Sequence, residues 1–261
     1  MGDTRSDGIS EGKPLTRSLS VGDRYNQDNA PMRRTVWLEL TFFWLAVMLG
    51  IRSVVLLQST LGLPDWILGL VPLLFIYAPV WLCKYRKADS WSYHLSIPAF
   101  RDFGSWWAAA KLNFWMNMAV WPWFIPLYHV YNTHLFGKTP MGILPQDLVL
   151  IVAYQFFFVA IPEEFFYRGY FQTRLNEIFP RRFLIFGVPM GWGAVWASLY
   201  FAFGHSLVQF QWWHFATFFP GLIFAWMREK RNGVLSGAMF HACCNIGIVI
   251  LDTMYGLRSP I

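Results

Sequence analysis

Pro162-Glu163-Glu164-Phe165-Phe166-Tyr167-Arg168 places two adjacent carboxylates and a guanidinium directly after the apolar run 148–161. An ionised side chain at the centre of a bilayer costs roughly 2.5–3.5 kcal/mol on insertion scales, so three of them close together point to a use for the charge. Glu164 and Arg168 stand at i, i+4 with the acid N-terminal to the base, the favourable order for a same-face pair. Glu163 is turned about 100° from its neighbour, matches Tyr167 instead, and has no countercharge on its own helix. Spacing alone therefore neutralises Glu164 and leaves Glu163 for proton chemistry; a purely structural buried ion pair is the competing reading. Pro162 lacks an N–H, so the carbonyl of Phe158 loses its helical partner and the helix can kink there.

Two later stretches could answer Glu163. Phe201-Ala202-Phe203-Gly204-His205 ends an apolar segment on an imidazole, and His241-Ala242-Cys243-Cys244-Asn245 puts an imidazole and an amide on one helical face. A lone histidine on an apolar helix is more often a hydrogen-bonded core residue. Two of them, with an amide and an unpaired acid, need one another inside a membrane. A carboxylate beside an imidazole can activate water as a general base. A histidine and an amide on one face can donate hydrogen bonds to a developing oxyanion.

The three patterns Glu-Glu-x-x-x-Arg, Phe-x-x-x-His and His-x-x-x-Asn occur complete and in order across about residues 145–250. In this the chain resembles the CPBP family of intramembrane proteases, which takes in type II CAAX prenyl endopeptidases and the Abi-like, bacteriocin-processing enzymes. The resemblance implies glutamate-dependent hydrolysis of a peptide bond in a membrane-associated or lipidated protein. By position Glu163 and His205 would activate the water, His241 with Asn245 would stabilise the oxyanion, and Glu164 with Arg168 would support the site. No cofactor is required. Zinc is the alternative, since a Glu/His/His set can bind it, but no HExxH is present. Prenylated CAAX proteins, bacteriocin or leader peptides and C-terminal sorting tails are all substrates within the family. From another class, a transporter with a Glu/His proton relay uses the same residue types, though the chain has no internal repeat or paired broken helices to support it. An inactive scaffold on the protease fold is the third possibility.

These residues must be carried by membrane helices. Of the 261 residues 56% are hydrophobic, 20% aromatic and only 14% charged, where a soluble domain has about 25% charge. Seven segments are long enough, or nearly so, to cross ~30 Å of hydrocarbon: 36–57, 66–83, 105–130, 147–171, 183–205, 212–227 and 234–251. The expected fold is an all-α polytopic bundle of about seven spans. Eight is the alternative count, because Gly187-Val188-Pro189 could separate an interfacial piece, 182–189, from a span starting near Gly191. That start also matters for depth: His205 would lie ~35 Å along a helix begun near Arg182 but ~21 Å along one begun near Gly191, closer to the ~24 Å of Glu163 from Asp147, while His241 lies ~10 Å in. Pro220-Gly221 leaves the sixth segment short and possible to break or tilt.

The net charge of +6 is spread in short clusters between apolar runs, which reads as topology and not as a nucleic-acid surface. Arg33 and Arg34 with four residues of the tail, then Lys84, Arg86, Lys87 and Arg101, then Arg168, Arg174, Arg181 and Arg182, then Arg228, Lys230 and Arg231 alternate onto one side, 17 of the 21 basic residues. Lys138 and Arg258 lie opposite, and Arg52 and Lys111 lie within spans. The positive-inside rule then predicts an integral protein of the plasma or inner membrane with its N-terminus cytoplasmic. Residues 1–35 read as a disordered cytoplasmic tail without a signal peptide, 36–144 as N-terminal membrane helices and 145–252 as the catalytic region; the C-terminus carries no lipidation motif. Cys83, Cys243 and Cys244 form no disulfide or metal spacing and read as small buried hydrophobes. Lys111, Asn113 and Asn117 suit snorkelling and helix contacts better than a cavity lining, and Trp212, Trp213 and His214 suit an interface belt before a role in substrate entry. The partners implied are the bilayer and a peptide or protein substrate.

Overall fold

The computed structural model describes residues 30–88, 102–179 and 181–258. Most of the N-terminal tail, with its charges, and Arg101 lie outside these residues. Among the described residues the chain forms seven helices and one hairpin: α1 (Ala30–Leu61), α2 (Leu70–Tyr85), α3 (Phe103–Val130), α4 (Leu148–Ile178), β1 (Arg181–Ile185), β2 (Val188–Gly191), α5 (Trp192–Val208), α6 (Phe218–Arg231) and α7 (Leu235–Met254). Asp102 caps α3 by accepting from the Ser105 N–H at 3.1 Å, and Asn232 ends α6 in the left-handed conformation.

Among the described residues four stretches are long and apolar enough to cross a membrane: Arg33–Leu61, Asp65–Tyr85, Leu148–Ile178 and Leu235–Met254. Side chains such as Leu49, Trp81, Trp123 and Leu150 stand exposed on the helices, as lipid-facing positions do. The core lies where Leu40, Trp44 and Met48 of α1, Phe75 of α2, Phe166, Tyr167, Tyr170 and Phe171 of α4, Phe201 of α5, Phe224 of α6 and Phe240 of α7 meet. Asn113 makes a helix contact, its Nδ2 reaching Cys243 Sγ of α7 at 3.7 Å, while Asn117 is bonded within α3, its Oδ1 accepting from Trp121 at 2.7 Å. Lys111 is exposed.

The fifth segment differs from a single helix over 183–205. Residues 181–191 form an antiparallel hairpin, turned by Phe186 and Gly187, both at positive φ. The helix begins only at Trp192, so the start near Gly191 is the one the chain adopts. Trp226 of α6 donates from Nε1 to the Ile185 carbonyl at 2.9 Å and ties the hairpin down.

α4 is the spine against which α5, α6 and α7 register. Along it, Gly193 of α5 meets Asn176, and Phe201 meets the Arg168 guanidinium at 4.4 Å. On α6, Ala225 and Glu229 accept from Gln172 at 3.1 and 2.8 Å. α5 and α6 have only 17 and 14 residues, ~25 and ~21 Å against ~30 Å of hydrocarbon. Their connection lies near the level of Glu163, and the part of α4 from Leu148 to Glu163, ~22 Å, extends beyond it. Pro220 falls in the first turn of α6, where no helical N–H partner is needed, so it starts the helix instead of breaking it.

The first segment, 36–57, carries two charges, Glu39 and Arg52, and both are answered. Arg86 pairs with Glu39. Arg52 donates to the Leu207 carbonyl at 2.6 Å, satisfying a last-turn oxygen of α5 that has no helical N–H.

Candidate active site

Pro162 sits in a four-residue α-helical piece, Ile161–Glu164, between two π-helical segments of α4, Gln155–Ala160 and Phe165–Phe171. The wider turns absorb the missing N–H, so the expected kink is realised as π-helix, a feature common at functional sites. The piece presents Glu163 and Glu164 to different neighbours.

Glu164 and Arg168 are both fully buried, with Oε2 and Nε 3.5 Å apart. Arg168 also donates from Nη2 to the Gly221 carbonyl at 3.1 Å and lies over the rings of Phe201 and Phe224. It is an internal charge and not part of the loop set that reports topology. Glu164 makes a second contact that helix spacing did not predict: its Oε1 is 3.1 Å from His241 Nδ1. Gly237 makes room for this, since a Cβ there would stand 3.0 Å from Glu164 Oε2. His241 stacks on Phe224 with ring centres 4.8 Å apart.

Glu163 is the more accessible acid. Its Oε2 lies 3.8 Å from Nε2 of His205 and 3.8 Å from Nε2 of His241. The His205 side chain is 30% exposed and that of Glu163 14%, against 4% for His241, so the cluster opens on the Glu163–His205 side. The Phe201 carbonyl is 2.9 Å from His205 Nδ1, which assigns the proton to Nδ1 in the neutral ring and leaves the Nε2 lone pair toward Glu163. Gly204 lets α5 lie against α4: a Cβ there would be 2.3 Å from the Tyr167 hydroxyl. From the α5–α6 connection the His214 ring stands 6.1 Å from that of His205, while Trp212 and Trp213 are exposed.

The structure therefore brings together Glu163, Glu164, Arg168, His205 and His241. Asn245 is one turn along α7 from His241, and its Nδ2 donates to Gln155 Oε1 at 3.0 Å. Gln155 was missed in the sequence reading; its signal was a lone amide inside the apolar run 148–161. Among the described residues, no group of three or more His, Cys, Asp or Glu side chains could hold a metal ion.

Apolar helices long enough to cross a membrane, with an acid–imidazole cluster between them, fit a membrane protein. Residues 145–247 match the family described as type II CAAX prenyl endopeptidase Rce1-like, which agrees with the resemblance to the CPBP membrane proteases carried by the three motifs. No curated protein and no solved structure matches the chain. The matched segment contains all six of Glu163, Glu164, Arg168, His205, His241 and Asn245. It favours a CAAX-type intramembrane endopeptidase over a transporter, with a lipid bilayer and a protein substrate as the partners that follow.

Proposed function

We propose that Glu163 is the general base of a glutamate-dependent, metal-independent hydrolysis that removes a C-terminal peptide from a prenylated CAAX-type protein. The observation that carries this reading is the division between the two acids. Glu164 is engaged by Arg168 and His241 in full burial, while Glu163, a partly exposed side chain, keeps a buried Oε2 without a hydrogen-bond partner 3.8 Å from two imidazole nitrogens.

In the proposed reaction, Glu163 takes a proton from a water held between it and His205, and the water oxygen bonds to the scissile carbonyl carbon. The carbonyl oxygen becomes an oxyanion and is met by N–H groups of His241 and Asn245. Collapse of the tetrahedral intermediate breaks the C–N bond, and the proton held by Glu163 passes to the leaving amine. Glu164 orients His241 through Nδ1, so Nε2 can donate only when the ring is doubly protonated. That state also brings Glu163, Glu164, Arg168 and His241 to zero net charge, which suits an enclosed site. The alternation of basic residues supports a plasma- or inner-membrane protein with a cytoplasmic N-terminus.

The test uses the full chain reconstituted in liposomes and a farnesylated CAAX peptide with a fluorophore and quencher flanking the scissile bond. Wild type should cleave the probe, and Glu163→Gln should cut the rate about 10²–10⁴-fold. Cleavage by Glu163→Gln at the wild-type rate would overturn the assignment of the base. If wild type leaves the probe intact but comparative membrane proteomics shows a precursor accumulating in Glu163→Gln cells, the prenyl substrate is wrong and the endopeptidase stands.

A further inference from the structure

Gln155, which forms an amide pair with Asn245 between α4 and α7, is the polar residue the proposed reaction does not use. Gln155 and Asn245 are half-buried side chains on different helices, joined by the 3.0 Å bond from Asn245 Nδ2 to Gln155 Oε1. Asn245 follows His241 by four residues and so shares its face of α7. Gln155 precedes Glu163 by eight residues, which on a regular α-helix would leave it about 80° off that face. The π segment Gln155–Ala160 lowers the advance per residue and turns Gln155 back toward it. Gln155 also lines a cavity of about 210 Å³ between α4 and α7, with Ile151, Tyr154, Val249 and Thr253 among its walls. Gln155 thus stands at the edge of open space, and neither member of the pair is fully enclosed.

We infer that Gln155 is a positioning residue for Asn245: its Oε1 takes one hydrogen of the Asn245 amide and aims the other at the substrate's carbonyl oxygen. This rests on the oxyanion role proposed above for Asn245. A primary amide left alone rotates about its last torsion and presents its oxygen to the site as readily as its NH₂. A developing negative charge gains only from donors already aimed at it. Gln155, as an acceptor held on a second helix, removes the wrong rotamer before substrate arrives.

With the farnesylated CAAX peptide and the full-length chain in liposomes, Gln155→Met, which keeps the volume and removes the acceptor, should lower kcat about tenfold and leave KM within about twofold. That is less than the 10²–10³-fold typical of losing an oxyanion donor outright. Gln155→Glu keeps an acceptor oxygen and should hold kcat within about threefold of wild type at low pH. It should lose activity as the pH rises and its charge opposes the oxyanion, a limb absent from the wild-type profile. In the double variant with Asn245→Ala, Gln155→Met should add nothing to the loss of Asn245→Ala alone. Should Gln155→Met not be recovered folded, Gln155→Asn, one methylene shorter, takes its place with the same expectation. Wild-type kcat in Gln155→Met (or in Gln155→Asn where it replaces it), or losses that multiply in the double variant, would overturn the positioning role while leaving the hydrolysis intact. Full activity of Asn245→Ala would instead remove the oxyanion role on which this inference stands.

Discussion

Glu164 Oε1 lies 3.1 Å from His241 Nδ1, across 77 residues of sequence. The acid that helix spacing gives to Arg168 therefore holds the histidine of α7 as well, and one buried carboxylate joins the structural ion pair to the face where Glu163 stands. The two glutamates are neighbours in the chain, yet one is enclosed by fixed partners and the other is turned toward the open side.

Arg168→Ala should damage stability as much as rate. It leaves Glu164 charged in full burial, and breaking one side of a buried pair typically costs about 3–5 kcal/mol. Arg168→Lys should rescue little, because one ammonium cannot replace the separate Nε and Nη2 contacts to Glu164 and the Gly221 carbonyl. Yield and thermal inactivation in detergent read the effect; a variant of normal yield and thermal stability with no activity would place Arg168 in the chemistry instead.

Arg52→Ala should impair catalysis from α1, without contact to the acid cluster. It strips the donor from the Leu207 carbonyl, two residues beyond His205, a charge-assisted bond worth about 1.5–3 kcal/mol. The last turn of α5 then loosens and His205 with it. Probe cleavage should fall several-fold with little change in expression, and hydrogen exchange at 205–209 should speed up. Unchanged exchange there would refute the capping account.

Gly237→Ala should be harmful although it adds one methyl group. Its Cβ would meet Glu164 Oε2 at 3.0 Å, displacing the carboxylate that holds His241, and overpacking of this kind costs about 1–3 kcal/mol. Gly69→Ala is the control, since nothing lies within 4 Å of a Cβ there. Equal activity and thermal stability of the two variants would show that the space beside Glu164 is not needed.

Cleavage should survive prolonged EDTA treatment. Proton transfer by Glu163 and hydrogen bonding by His241 and Asn245 require no Lewis acid. Loss of activity in EDTA, restored by added zinc, would move the chemistry to a metal site and make Glu163 and the histidines its ligands.

The local parts of this site were legible because each lies on one helix. The i, i+4 relation of Glu164 and Arg168 needs only the pitch of the helix, and so does the shared face of His241 and Asn245. The charge alternation was legible too, but it could not count crossings. A pair of helices that turns back partway returns the chain to the same side as a pair that crosses fully. α5 and α6, at 17 and 14 residues, are shorter than the ~20 residues a crossing needs, and His205 meets Glu163 although it sits near the end of its own helix.

By itself the sequence determined which residues are too costly to bury unpaired, which of them share a helical face, and that apolar helices carry them. These follow from local geometry and the energetics of charge in hydrocarbon. Only the tertiary structure decided the partners: that Glu164 serves both Arg168 and His241, that Arg52 satisfies the end of α5, and that Gln155 holds Asn245. Each is a meeting of side chains from separate helices, and its geometry depends on the depth and rotation at which those helices pack. Periodicity along one helix carries no information about either.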